Sequence, residues 1–282
     1  MTWEQLSRQR RIMRALGALA ANPARVIRAV PGELQQRRLR REVDPGLIYE
    51  IYEVDEAWDE HLHGLLGAPW PCAKVQQLEQ IMADIDALLA ARGLSSGRQT
   101  YGWYSDAEHS LCCAVWCVAQ HTRPEVVIET GVAHGVTSRV VLEALRQNDF
   151  GHLWSIDLPF PFDRRVHAET GAVVTGACRS RWSYLEGASS QELPPLVARV
   201  GHVEMFVHDS LHTPENTLFE MERAATVMSP GGVMVVDDIG ESRDAFATFT
   251  QRNPQYQPII CPASDREGIH GIFGIAVKTA AG

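Results

Sequence analysis

Residues 129–138, ETGVAHGVTS, follow the apolar run VVI at 126–128 and lead into a stretch with helical spacing. Gly131 and Gly135 permit a tight strand-to-helix turn with close backbone approach to a ligand, and the helix opening at Val136-Thr137-Ser138 offers free N–H groups. The spacing is GxxxG and not GxGxxG, so a pyrophosphate cradle is the weaker reading, and taken alone the turn could be purely structural.

The sequence on both sides of this turn decides what it belongs to. From Glu125 onward short β-rich runs alternate with helical stretches. Strands are expected at 126–129, 152–157, 182–187, 203–208, 232–237, 256–261 and 272–278, with helices near 137–147, 165–180, 190–199 and 214–228. Alternation of this kind is the signature of right-handed βαβ crossovers. The last two strands are separated only by CPASDREGIHG, too short for a crossover helix, so they should pair antiparallel. The predicted fold is α/β: a doubly wound, Rossmann-like, seven-stranded and mostly parallel sheet with an antiparallel last strand. Ligands of such sheets bind outside the C-terminal strand ends.

Residues 1–100 read as a helical N-terminal extension and 101–282 as the α/β domain. In the extension, breaks are expected at Asn22-Pro23, Pro31-Gly32, Pro45-Gly46 and the Gly67–Pro71 segment. Its clearest helix starts at Val75, with Leu78, Ile81, Met82, Ile85, Leu88 and Leu89 at helical spacing and Gly93 ending it.

The net charge of −9 is unevenly spread. Ten arginines face only Glu4 and Glu33 in residues 1–41, a local charge of +8 that leaves −17 on the rest. This arm could touch an anionic membrane, nucleic acid or the protein's own acidic body, and a homo-oligomer is compatible with it. The acidic remainder argues against nucleic acid as the main partner, because it would repel phosphates. No run of eighteen apolar residues occurs and the N-terminus lacks a secretory pattern, so a cytoplasmic location is expected. Cys72, Cys112, Cys113, Cys117, Cys178 and Cys261 form no CxxC pair. Cys113 and Cys117 share a helix face and could begin a metal site, but they read more simply as small apolar core residues.

Asp157 ends the second predicted strand, where a carboxylate can accept both hydrogen bonds of a ribose diol. With the glycine turn before it, residues 100–280 resemble the class I S-adenosylmethionine-dependent methyltransferases. The resemblance implies that Glu129, Gly131 and Gly135 surround the methionine portion of S-adenosylmethionine and that Asp157 holds the ribose. It further implies that Ala188 and Ser189, in EGASSQ after the third strand, contact adenine. The same segment is similar to the catechol O-methyltransferase branch, although one extra serine leaves Ser189 and Ser190 as alternative registers.

Three carboxylates also sit at strand ends: Asp209 in FVHDSLHT, and Asp237 with Asp238 in MVVDDIGES. Hard oxygen ligands gathered at one rim suit Mg2+ or another divalent cation, and without one the like charges would drive proton uptake. In metal-dependent O-methyltransferases these positions hold the metal, and Asp209 can also contact the cofactor. His212 takes the place of a catalytic lysine in catechol-type enzymes and of a histidine in macrolide-sugar enzymes. Its imidazole suits a general base for a hydroxyl of a small-molecule acceptor such as a sugar or phenolic natural product. A structural reading is that Thr213 caps the next helix with Pro214 at its first position.

Acceptor contacts are sought in Tyr101, Trp103, Tyr104, Asp106 and His109, in His134, and in Glu241, Ser242 and Arg243, whereas Trp154, Trp182 and Phe206 read as core. Two other functions fit the pattern: a cephalosporin hydroxylase-like enzyme on the same fold, and a non-catalytic cofactor-binding or membrane-tethered adaptor.

Overall fold

Val126–Thr130 is buried at every position, as a strand covered on both faces by helices must be, and this β1 lies at the centre of the sheet. The computed structural model describes residues 8–41, 51–101, 104–265 and 268–279. β2 (His152–Asp157), β3 (Trp182–Glu186), β4 (Val203–His208) and β5 (Met228–Val236) continue parallel to β1. β6 (Tyr256–Asp265) and β7 (Gly268–Lys278) complete the order β3-β2-β1-β4-β5-β7-β6, in which β7 is antiparallel to both neighbours. The chain reverses its direction of winding between β1 and β4, which makes that rim the topological switch point.

Helices cover both faces. α3 (Trp58–Leu66), α4 (Val75–Ala90), α5 (His109–Thr122) and α6 (Val136–Asn148) share one apolar core with one side of the sheet, with Trp116 and Phe273 fully buried in it. α8 (Ser189–Val200), α9 (Pro214–Ala225) and α10 (Ala245–Arg252) close the other side around Phe206, Phe246 and Phe249. The second half of the N-terminal extension is therefore continuous with the core of the α/β domain. α4 follows its periodicity: Leu78, Ile81, Ile85 and Leu89 are buried.

Four expectations are corrected. The helix expected over 165–180 breaks into a short α7 (Arg164–Glu169) and a 3-10 segment at Gly176–Arg181. Gly171 explains the break: it adopts φ +65°, and a Cβ there would lie 2.7 Å from the Trp182 ring. The last two strands run through most of the expected loop, because residues 261–265 pair with 268–273. β5 likewise begins at Met228, four residues before the expected strand. Finally, Pro31-Gly32 does not interrupt the arm. α1 (Arg8–Ala21) and α2 (Pro23–Arg41) break only at Asn22, and Pro31 lies inside α2. That turn is held by tertiary contact, since Gly32 is seated where a Cβ would meet Ala188 Cβ at 2.7 Å and Leu158 Cδ2 at 2.9 Å. Pro45-Gly46 lies outside the described residues, as does Trp103.

The arm docks on the protein's own acidic rim. Arg14 pairs with Asp163 at 3.1 Å, Arg25 with Glu186 at 2.8 Å and Arg28 with Glu192 at 3.4 Å. The Ser190 hydroxyl donates to Gln35 Oε1 at 2.6 Å. Exposed pairs such as these contribute up to about 1 kcal/mol each, so docking rests on several together. No helix among the described residues is long and apolar enough to cross a membrane.

Candidate active site

Backbone pairing continues past the strands and gathers their loops at one rim. Gly131 N–H donates to Ile156 O, Gly187 to Asp157 O, Asp209 to Thr130 O and Asp237 to His208 O, all within 2.8–2.9 Å. The result is a cavity of about 280 Å3. Gly131, Asp157, Ser189, Asp209, His212 and Asp237 line it from the strand ends, while Gln36 and Arg40 close it from the arm.

The glycine turn has structural reasons for both glycines. At Gly131 (φ +87°) a Cβ would lie 1.8 Å from Asp209 O, so β1 and β4 could not approach at the rim. At Gly135 (φ +88°) it would press on Gly171 Cα at 3.0 Å. Beside the turn, Glu129 is fully buried and its Oε2 accepts from Ser138 and Ser155 hydroxyls at 2.6 Å each, while its Oε1 has no partner. Burial, only partly offset by those hydroxyls, pushes its carboxyl up to about 7. Asp157 is in the same condition. Burial raises it to about 7 against the opposing N–H groups of Ala133, Leu158 and Val132, and its Oδ2 is unpartnered.

Asp157 lines the cavity where the resemblance puts the ribose, whereas Glu129 lies buried behind the wall, beside the glycine turn; the orphaned oxygen of each calls for a donor. Buried polar atoms without partners are uncommon in folded proteins, so their donor set fits a ligand rich in N–H and O–H groups. Ser189 lines the cavity, whereas Ala188 is covered by Gly32 and Ser190 is engaged by the arm.

On the other side of the rim, Asp209, His212 and Asp237 present ligand atoms within 4.8 Å of one another, and a second group joins His212, Asp238 and Glu241. The three aspartates do not form one such group. Asp238, at φ +45°, turns its Oδ2 to His212 Nδ1 at 3.0 Å, and His212 takes the third place beside Asp209 and Asp237. Burial and mutual charge push Asp209 and Asp237 well above the carboxylate range, and Asp237 Oδ1 has no partner. Burial works against a charge on His212, but the charge and hydrogen bond of Asp238, with Asp237 and Glu241, outweigh it and raise it to about 9. Asp238 is correspondingly lowered, burial being outweighed by His212. His212 Nε2 makes no hydrogen bond and lies 3.8 Å from Asp209 Oδ1. An excess of carboxylates around one imidazole, with an orphaned oxygen and nitrogen between them, fits a hard divalent cation.

Thr213 caps α9 as expected, accepting from Asn216 N–H at 3.4 Å with Pro214 next. Its base is a network that sequence reasoning missed. His208 Nδ1 lies 2.6 Å from Glu220 Oε2, and Glu220 Oε1 accepts from Ser210 at 2.8 Å and Asn216 at 2.9 Å. Thr217 and Thr130 complete it. The available signal was polar residues at 216, 217 and 220 on the face of α9 that must be buried.

Of the acceptor candidates, Tyr101, Tyr104, Asp106 and Glu241 line the cavity. Asp106 and His134 pair with each other, buried, at 2.9 Å, and tie the glycine turn to the segment before α5. His109 pairs with Glu79, Ser242 bonds backbone carbonyls, and Arg243 offers its carbonyl to Tyr52. Trp154 lies under Arg199 and Trp182 donates to Ser155, while Phe206 is core. Glu108, Arg98 and His270 were not anticipated, yet all three line the acceptor side. Arg98 Nη1 meets His270 Nδ1 at 3.2 Å, and His270 Nε2 meets Asp265 at 2.8 Å.

Residues 128–239 match the family model of a methyltransferase domain. Comparison with curated proteins finds no match. Among solved structures, the chain is similar to a Klebsiella pneumoniae protein assigned to the O-methyltransferases, with TM-score 0.54 and 14% identity over 79% of this chain and 97% of that one. It is also similar to an O-methyltransferase from Bacillus cereus in complex with SAH, with TM-score 0.52 and 13% identity over 79% and 99%. At these identities the likeness is one of fold.

Proposed function

For a chain that carries a methyltransferase domain of the class I, S-adenosylmethionine-dependent kind, we propose O-methylation of a small-molecule hydroxyl assisted by a divalent cation, Mg2+ in the first instance. The observation that supports it best is the division of the rim. Asp157, with its orphaned Oδ2, lines the cavity on the side of the glycine turn, with Glu129 buried behind it, and Asp237, with its orphaned Oδ1, lines it where Asp209, His212 and Asp237 converge.

Glu129, Gly131, Gly135, Asp157 and Ser189 would hold S-adenosylmethionine, with Asp209 near its amino group and Ala188 packed behind the adenine side. Asp209 and Asp237, which converge, would hold the cation, with Asp238 beside them joining through the carboxylate that also bonds His212. When bound, the two groups supply an electrophilic methyl and the Lewis acidity that lowers a hydroxyl's pKa. His212, held through Nδ1 by Asp238, presents Nε2 to the cavity and accepts the hydroxyl proton there. For that it must be neutral, and positive charge among the carboxylates would release the proton they retain on it. Tyr101, Tyr104, Arg98, Glu108 and His270 give the acceptor side a polar and aromatic lining suited to a sugar or phenolic compound.

The arm's engagement with the protein's own rim favours self-contact as its role. Its outward Ile12, Met13, Leu16 and Leu19 are a surface through which an anionic membrane or a second copy would attach. A cytoplasmic location suits a small-molecule enzyme of this kind.

Titration calorimetry with S-adenosylmethionine, with and without Mg2+, tests the reading on wild type and on an Asp237→Ala, Asp238→Ala double variant. Absence of cofactor binding to wild type would sink it. Equal heat and equal turnover in EDTA would remove the cation alone.

A further inference from the structure

We propose a second metal site, for Zn2+, on the far side of α5 from the cavity, built from His63, Cys72, Cys117 and His121. A ring nitrogen of His63, Cys72 Sγ and a ring nitrogen of His121 converge within 4.8 Å of one another. Cys117 Sγ lies beside this group, 3.9 Å from Cys72 Sγ, and would close the fourth position as the ion draws the donors together. Two imidazoles and two thiols are the donor set of tetrahedral structural zinc, and not that of the hard cations suited to the aspartate rim.

The two edges that meet at Cys72 agree with that geometry before any ion is bound. Zinc–ligand distances of about 2.3 Å to sulfur and about 2.0–2.1 Å to nitrogen imply edges of about 3.8 Å between sulfurs and about 3.5 Å between sulfur and nitrogen. Cys72 and Cys117 are separated by 3.9 Å, and Cys72 Sγ and His121 Nε2 by 3.3 Å.

His63 supplies an independent sign of a ligand. It is only 1% exposed, its Nδ1 lies 2.6 Å from Asp59 O, and its Nε2 has no partner although it is buried. Donation from Nδ1–H to a carbonyl fixes the tautomer that leaves the Nε2 lone pair free, the arrangement typical of metal-bound histidine. Cys72 and His121 are partly exposed and give the ion a path in, whereas Cys117 is buried.

The sequence carried part of the pattern. Cys117 and His121 are one helical turn apart on α5, a CxxxH spacing that places both on one face. The helix-face pair read first was Cys113 with Cys117, and of these only Cys117 reaches the cluster, Cys113 meeting His109 instead. Bound zinc would clip α3 and the 67–74 loop to α5 and so tie the N-terminal extension to the domain.

Protein grown in zinc-supplemented medium should carry about one zinc per chain by elemental analysis. Cobalt exchanged into it should show thiolate-to-metal charge transfer and intense tetrahedral ligand-field bands, which cobalt on the aspartate rim would not give. A Cys72→Ser, His121→Gln variant should lose both the zinc and the bands, whereas Asp237→Ala should keep them. His121→Cys restores a ligand and should regain the metal, which separates lost ligation from lost folding. Wild type without zinc and without the cobalt bands would overturn the proposal. So would full zinc content in the double variant, or a Cys72–Cys117 disulfide as the native state on peptide mapping.

Discussion

Glu220 Oε2 lies 2.6 Å from His208 Nδ1, with both side chains fully buried beneath the loop that carries Asp209 and His212. Burial opposes the charge on Glu220, but His208 and the hydroxyl donors around it outweigh that and lower the carboxyl to about 2. A carboxyl lowered on folding stabilises the folded state fully above the ordinary carboxylate range. That stabilisation is lost as pH falls from there through about 2. Glu220→Ala should therefore cost about 3–5 kcal/mol at neutral pH by stranding His208, Ser210 and Asn216. Urea unfolding at pH 7 and near pH 2–3 measures it: the gap between variant and wild type should narrow in acid, and a constant gap would refute the ionic origin.

Asp157 and Glu129 yield a prediction of opposite sign. Both are raised to about 7, so in the empty cleft each holds a proton below that pH. A ribose diol or an ammonium group needs the ionised form as acceptor. S-adenosylmethionine affinity should thus strengthen as pH rises through about 7, with protons released on binding. Calorimetry in buffers of different ionisation enthalpy reads that release directly. Asp157→Asn should weaken binding at least tenfold, about 1.4 kcal/mol, and remove most of the pH dependence.

The fold was largely legible because parallel sheets write themselves into sequence as apolar runs broken by helical spacing, and six of the seven strands end within one residue of expectation. Gly171 was read as helical because the packing that breaks the helix there, against Trp182, is long-range. The hairpin over 256–278 was shortened for a related reason: its polar outer half pairs with itself and needs no apolar signal. At the site, Asp157, Asp209 and Asp237 were found because a carboxylate at a strand end has a place in the topology. Glu108, Arg98 and His270 reach the cavity from outside the parallel strand ends, and their grouping exists only in three dimensions. The Cys72–His121 contact spans 49 residues and is likewise invisible to local spacing.

Docking of the arm depends on a glycine. An added Cβ at Gly32 would meet Ala188 and Leu158 below 3.0 Å, and overpacking of this kind costs about 1–3 kcal/mol. Gly32→Ala should therefore release α2, speeding tryptic cleavage at the arm's arginines about tenfold while global unfolding is unchanged. Gly17→Ala is the control, since nothing lies within 4 Å of its Cβ. It should stabilise α1 by about 1 kcal/mol and leave cleavage at α2 as it was.

His212 and Asp238, 3.0 Å apart, separate a chemical role from a structural one. If Nε2 of His212 accepts the hydroxyl proton, His212→Ala should lower kcat by about 10^2–10^4-fold with little change in S-adenosylmethionine affinity. Asp238→Asn keeps the side chain's shape but removes the charge that orients and protonates the ring. Its turnover should fall less, and the acidic limb of its pH profile should move down, because the imidazole then gives up its proton more readily. A residue that merely opens α9 would behave otherwise, since Thr213 and Pro214 supply that start without it. Initial rates on any acceptor that wild type methylates, followed across pH for both variants, decide between the two. Unchanged turnover in His212→Ala would transfer the base to another group on the rim, with Glu241, whose carboxylate lies within 4.8 Å of His212, the first candidate.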